Sequence, residues 1–189
     1  MGAISNSIRL YARSLLEKMK ITEAQRQELE DVYQSFLHDE RILKMKEIQM
    51  HRGSNCYIHS FKVAKLSIRR ALRHKKGNLM TILLGAILHD YYLYDWRSDR
   101  EKMKGHICRH PYIAAENAER DFGIHEPIKR VIQSHMWPFN LTDFPKTKEA
   151  RIISLADKTI YLREIVCSRR YKKKREELYL KQIATLLDF

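Results

Sequence analysis

The ten residues from Leu79 to Leu88 are apolar on every face of a helix and run directly into His89-Asp90. A helix that is hydrophobic all round belongs in a core, and this one takes an imidazole and a carboxylate in with it. Burying such groups costs several kcal/mol unless they are paired or hold a metal, so any fold that accepts this segment must bring partners to its C-terminal end. The dipeptide by itself says little, since 9 His and 9 Asp in 189 residues produce about 0.4 His-Asp pairs by chance. A second copy, His38-Asp39, lies in a polar stretch before Glu40 and Arg41 and reads as a solvated helix end.

Candidate partners for the buried pair recur at helix-sized intervals. His59, His89, His110, His135 and Asp157 follow one another at 30, 21, 25 and 22 residues, each about one helix plus a loop. Successive helices would each offer one side chain, which is how helical bundles assemble metal sites from inward-facing His and carboxylates. His59 shares a face with Cys56, Val63 and Leu66, and Asp157 follows the apolar Ile152, Ile153, Leu155 and Ala156.

The rest of the chain supports helices throughout. Only 6 Gly and 4 Pro are present, and no alternating strand pattern, internal repeat or low-complexity segment appears. Residues 1 to 20 have helical spacing at Ile4, Ile8, Tyr11, Leu15, Leu16 and Met19. Thr22 and Gln25 form a capping-box pattern ahead of Leu29, Val32, Tyr33, Phe36 and Leu37. Asn55 to His74 is a third helix, ended by Lys75-Lys76-Gly77, and Asn78 caps the core run. Pro111 is expected as the first helical residue of a segment ending at Gly123, and Pro127 likewise for Ile128 to His135. The last two helices are expected over Thr147 to Cys167 and Lys172 to Leu187. The fold class is therefore an all-α, single-domain helical bundle, with residues 1–48 as an N-terminal helical extension packed on the core, residues 49–168 as the main domain and residues 169–189 as a basic amphipathic helix.

At the singled-out residues the chain resembles the HD-domain superfamily of metal-dependent phosphohydrolases. The matching elements are Tyr57-Ile58-His59-Ser60 with Val63-Ala64, Gly85 to Asp90, His110-Pro111, Ser134-His135 and Leu155-Ala156-Asp157-Lys158, in the order H…HD…H…H…D from about residue 50 to about residue 165. The two additional histidines are similar to the binuclear branch. The resemblance implies that His59, His89, Asp90 and Asp157 hold one metal and that Asp90 bridges to a second held by His110 and His135, with iron or manganese as the ions. It further implies a phosphomonoesterase or phosphodiesterase acting on a nucleotide or small phosphate ester through a bridging hydroxide that the two ions activate. Asp90 orients the ions in that scheme, Lys158 contacts phosphate and His106 is a candidate leaving-group acid. His106 precedes His110 by four residues, but a helix starting at Pro111 would keep the two off a common face.

The chain departs from many family members in carrying Leu93 three residues after Asp90, where they have Lys, and it lacks the Gly-Tyr-Pro signature of cyclic di-GMP hydrolases. Two alternatives share the same residues. HD-type di-iron oxygenases use a similar ligand set on polyols or phosphonates, and a non-catalytic basic module would bind nucleic acid or nucleotides.

Charge favours an anionic substrate, with a solvated helix face as the alternative use of the same residues. The net charge is +13, and between Arg41 and Gly77 there are 11 Lys or Arg against the single acid Glu47, a local balance of +10. Tyr57, Trp96 and Trp137 flank candidate ligands and offer base-stacking surfaces, with core packing as the commoner use of such residues. The densest basic run, Arg169 to Arg175, reads as a solvated helix face, with nucleic acid a less favoured partner. Cys56, Cys108 and Cys167 form no Cys-x-x-Cys pair, and Leu79 to Leu88 is half the ~20 residues of a membrane span. With no signal-peptide pattern at Met1, and Asn6 where a myristoylation motif needs Ser or Thr, a cytoplasmic protein without a membrane partner is expected.

Overall fold

The computed structural model describes residues 21–50, 54–97, 100–167 and 180–187. Among them are eight α-helices and one 3-10 turn, with no strand beyond an isolated bridge between Gln49 and Asn55. The architecture is all-α, as composition and periodicity indicated. The helix expected over residues 1–20, the basic run 169–175 and the first half of the expected Lys172 to Leu187 helix lie outside the described residues; in the described half the helix ends at Ile183, four residues short of the expected Leu187.

Helix α1 (Glu23–His38) opens with the expected capping box, Thr22 and Gln25 each accepting the other's backbone N–H. It buries Leu29, Tyr33 and Leu37, and holds the chain's C-terminal segment through Tyr33, whose hydroxyl donates to the Ile183 carbonyl at 2.7 Å. His38 is exposed at the end of α1, and Asp39 caps the short α2 (Glu40–Leu43) by accepting from the Arg41 N–H at 2.8 Å. A 3-10 turn (Lys44–Glu47) leads toward α3 (Cys56–His74), capped by Asn55 and closed by Lys75 in the left-handed region at φ 52°.

Helix α4 (Leu79–Leu88) is the centre of the bundle. Asn78 caps it, and it packs on α1, α3, α6 (His106–Phe122), α7 (Glu126–Gln133) and α8 (Lys148–Cys167). Ile82, Leu83, Ala86, Ile87 and Leu88 are fully buried. Gly85 sets the approach of three helices, because a Cβ there would stand 2.9 Å from Val131 Cγ1 on α7 and 3.1 Å from Ile153 Cδ1 on α8. The short α5 (Arg100–Met103) follows the loop after α4.

Two of the boundaries that differ from the sequence expectations concern the site. Helix α6 starts at His106, behind Gly105 at φ 69°, so Pro111 is its sixth residue and not its first. The proline removes the hydrogen bond to the Ile107 carbonyl, at an exposed residue. His106 and His110 consequently do share a helical face. Helix α7 ends at Gln133, two residues before the expected His135, which lies in the turn that follows.

Candidate metal centre

The elements converge where the apolar run of α4 ends. His59 comes from the first turn of α3, His89 and Asp90 from the end of α4, His110 from α6, His135 from the turn after α7 and Asp157 from the middle of α8. All six are buried, the four histidines at 0 to 4% exposure and the two aspartates at 4 and 9%. The six sequence-derived ligand candidates thus meet in one place.

Each imidazole is held by its Nδ1 and turns its Nε2 inward. His89 Nδ1 donates to the Ala86 carbonyl at 2.8 Å, His110 Nδ1 to the His106 carbonyl at 2.9 Å and His135 Nδ1 to the Ile132 carbonyl at 2.7 Å. His59 Nδ1 instead donates to the Glu164 carboxylate at 3.0 Å. A proton fixed on Nδ1 leaves the Nε2 lone pair as a metal ligand. His59 Nε2 lies 3.1 Å and His89 Nε2 3.8 Å from Asp157 Oδ1. Asp90 straddles the cluster, with Oδ2 3.3 Å from His89 Nε2 and Oδ1 3.4 Å and 3.7 Å from His110 and His135 Nε2.

Two features fit this cluster to a cation. His89 Nε2 is buried with no hydrogen-bond partner, Asp90 Oδ2 lying 3.3 Å away. His110 and His135 present their Nε2 atoms to each other at 3.1 Å while both Nδ1 protons are committed to carbonyls, which sets two lone pairs face to face. A positive ion between such groups removes the repulsion and supplies the missing partner. Two ligand trios, His59 with His89 and Asp157, and His89 with Asp90 and His135, each have donor atoms within 4.8 Å of one another. Mixed imidazole and carboxylate donors suit first-row divalent ions such as iron and manganese, without selecting one.

Electrostatics without a metal divides the cluster. Burial presses on the His59 imidazolium, but the hydrogen bonds it donates to Asp157 and Glu164 win and raise its pKa to about 10. His135 goes the other way, since burial together with the charges of His89 and His110 pushes it well below the usual histidine value. Burial opposes ionisation of Asp90, yet His89 and His110 hold its pKa well below the carboxylate range. Asp157 is lowered as well, against its burial, through its hydrogen bond to His59.

Sequence reasoning missed Glu164. It is 5% exposed, accepts from Ser54 Oγ at 2.9 Å and Lys62 Nζ at 3.1 Å as well as from His59, and has its pKa drawn down to about 2 despite burial. The available signal was its position seven residues after Asp157, two turns along the same stripe of α8. A carboxylate behind a ligand histidine fixes the ring and raises its basicity.

Lys158 and His106 both lie beside the cluster. The Lys158 ammonium donates to the His135 carbonyl and to Asp157 Oδ2, the latter at 3.2 Å. His106 is stacked between Trp96 (centroids 4.9 Å apart, 16° between planes) and His110 (4.6 Å, 24°), with Nδ1 2.8 Å from the Tyr94 hydroxyl. Burial and the neighbouring His110 lower its pKa to about 4, so it is neutral at pH 7. Of the flanking aromatics, Tyr57 is buried and bonded to the Leu37 carbonyl, whereas Trp137 is partly exposed against Phe144. Tyr92 closes the site edge-on to His110, its hydroxyl 3.1 Å from Cys56 Sγ.

Comparison with curated proteins and with solved structures returns no match. A family model does match, over residues 56–162, and it is that of the HD domain. That span covers more than half of the chain and includes His59, the His89-Asp90 pair, His110, His135 and Asp157: the protein belongs to the HD-domain family, whose members bind divalent metals and are generally phosphohydrolases.

Proposed function

We propose that this protein is a metal-dependent phosphohydrolase that uses two divalent ions, iron or manganese, on a nucleotide or another small phosphate ester. The observation that carries the reading is Asp90, whose two oxygens lie toward different histidines, Oδ2 toward His89 and Oδ1 toward His110 and His135. His59, His89, Asp90 and Asp157 would hold one ion, and His110, His135 and the other oxygen of Asp90 the second. Bound there, a pair of divalent ions supplies Lewis acidity that lowers the pKa of water and neutralises phosphate oxygens.

The chain's own groups do the remaining work. Glu164 holds the His59 ring in register and keeps the Nδ1 proton off the ligand face. Lys158 stands between Asp157 and the His135 carbonyl, where its positive charge faces an incoming phosphate oxygen. His106 is neutral at pH 7 and its Nδ1 accepts a hydrogen bond from the Tyr94 hydroxyl, which leaves its own proton on Nε2 as a hydrogen-bond donor to the leaving-group oxygen. The local excess of basic residues in the α3 region draws anionic substrates toward the site.

The test pairs metal analysis with a substrate screen. Purified protein should contain iron or manganese, lost in Asp90→Ala, and should release phosphate or a nucleoside monophosphate from at least one nucleotide or phosphate ester without oxygen. A loaded protein that hydrolyses none of them and consumes oxygen with a polyol or phosphonate would overturn the hydrolase reading.

A further inference from the structure

Seven of the eleven large apolar side chains exposed among the described residues lie on the connector before α8 and on α8 itself. Phe139 (62%), Leu141 (78%) and Phe144 (48%) lie on the connector before α8, and Leu155 (63%), Leu162 (59%) and Val166 (71%) on α8 itself. Leu155, Leu162 and Val166 follow at spacings of seven and four, so they form one stripe along the helix. The inward face of the same helix carries Asp157 and Glu164. Cation contacts join connector and helix, with Arg151 5.7 Å above the Phe144 ring and Lys158 6.0 Å above that of Phe139.

The most exposed charges of this stretch are of one sign, its acids Asp143 and Glu149 being partly buried. From Pro138 to Val166 the exposed residues include Lys146, Lys148, Arg151 and Arg163, and none is acidic. The acids of this stretch are committed elsewhere: Asp143 to Tyr112 and Asn140, Glu149 to the Asn78 N–H, and Asp157 and Glu164 to His59. Apolar patches of this kind mark contact surfaces. A second copy of the same face would set its four cations against four more, on a chain already at +13. Nucleic acid would meet the cations but leave Leu155, Leu162 and Val166 without a purpose. A surface that is anionic outside and apolar beneath matches both sets of residues.

We propose that the connector and outer face of α8 dock this protein peripherally on anionic phospholipid bilayers. Phe139, Leu141, Leu155, Leu162 and Val166 enter the headgroup boundary, and Lys146, Lys148, Arg151 and Arg163 meet lipid phosphates. No described helix is long and apolar enough to cross a membrane, and docking of this kind requires none. The expectation of no membrane partner rested on the lack of a spanning segment, a signal peptide and a myristoylation motif, none of which addresses a surface patch assembled by the fold.

The experiment is co-sedimentation of the full chain with phosphatidylcholine vesicles, with and without phosphatidylserine. The protein should pellet with the anionic vesicles only, and Leu155→Glu/Leu162→Glu should weaken partitioning by about tenfold or more with helix content and metal content unchanged. Quenching of Trp137, which contacts Phe144 in this face, by brominated lipid should report insertion in the parent and not in the variant. The proposal is overturned if anionic vesicles are not bound, or if the double variant binds them equally well. It is also overturned if the parent is a dimer that the variant converts to monomers without any effect on vesicles, or if only RNA is retained and the leucine changes leave that retention intact.

Discussion

The two halves of the ligand cluster are braced by different means. His59 is held by charge, with Glu164 behind it and Lys62 and Ser54 behind Glu164. His110 and His135 are held by neutral main-chain carbonyls of their own segments. Without a metal the first half therefore retains a proton on His59, whereas His135 remains neutral. One half competes with protons for its ion, and the other is a ready lone-pair site whose difficulty is the repulsion between His110 and His135.

Asp90 is the element common to both halves, and its loss should have the largest effect. In Asp90→Ala bound metal should fall to near zero by mass spectrometry, and turnover with it; retention of half the metal would mean that the His59 half closes without Asp90. His110→Ala should remove about one of the two ions and leave the other, a result that tells the halves apart. Glu164→Gln keeps the size of the brace and removes its charge, so metal affinity should drop about 10- to 100-fold, measured by chelator competition, with the loss confined to one ion.

Acidity tests the same division. In the metal-free protein the His59 pKa is raised from 6.5 to about 10, so its contribution to stability is complete below pH 6.5 and disappears as pH rises through about 10. Glu164 is lowered from 4.5 to about 2, so its contribution is complete above pH 4.5 and is lost as pH falls toward 2. The melting temperature of the metal-free protein should decline between pH 6.5 and 10, and metal loading should flatten that decline because the ion replaces the His59 proton. Calorimetry at pH 7 in buffers of different ionisation enthalpy should register that proton leaving. The smallest effect belongs to the other His-Asp pair: Asp39→Ala should cost about 1 kcal/mol of stability through the lost cap and leave metal content unchanged.

His38-Asp39 and His89-Asp90 also show what the sequence could convey. The dipeptides are identical, and only the apolar run before the second revealed that it had to be buried and partnered. Helix-sized spacing added His59, His110, His135 and Asp157, and the family resemblance joined them into a ligand set. Glu164 escaped because a lone glutamate beside Ile165 and Val166 looks like an ordinary helix acid; only its register with Asp157 shows the direction it faces. Pro111 misled for a physical reason. Proline is favoured at a helix start, but Gly105 begins this helix earlier and the carbonyl that Pro111 leaves free belongs to an exposed residue. Pro127 marks the start of the next helix but not its end, which falls at Gln133 and leaves His135 in the turn beyond.

The bonds that orient the four imidazoles span very different lengths of chain. His89, His110 and His135 take their tautomer from carbonyls three or four residues back, whereas His59 depends on a carboxylate 105 residues ahead. During synthesis three rings can adopt their final protonation pattern as soon as their own turns form. The fourth must wait until nearly the whole domain has emerged and α8 has docked, so completion of the cluster reports that the bundle has closed.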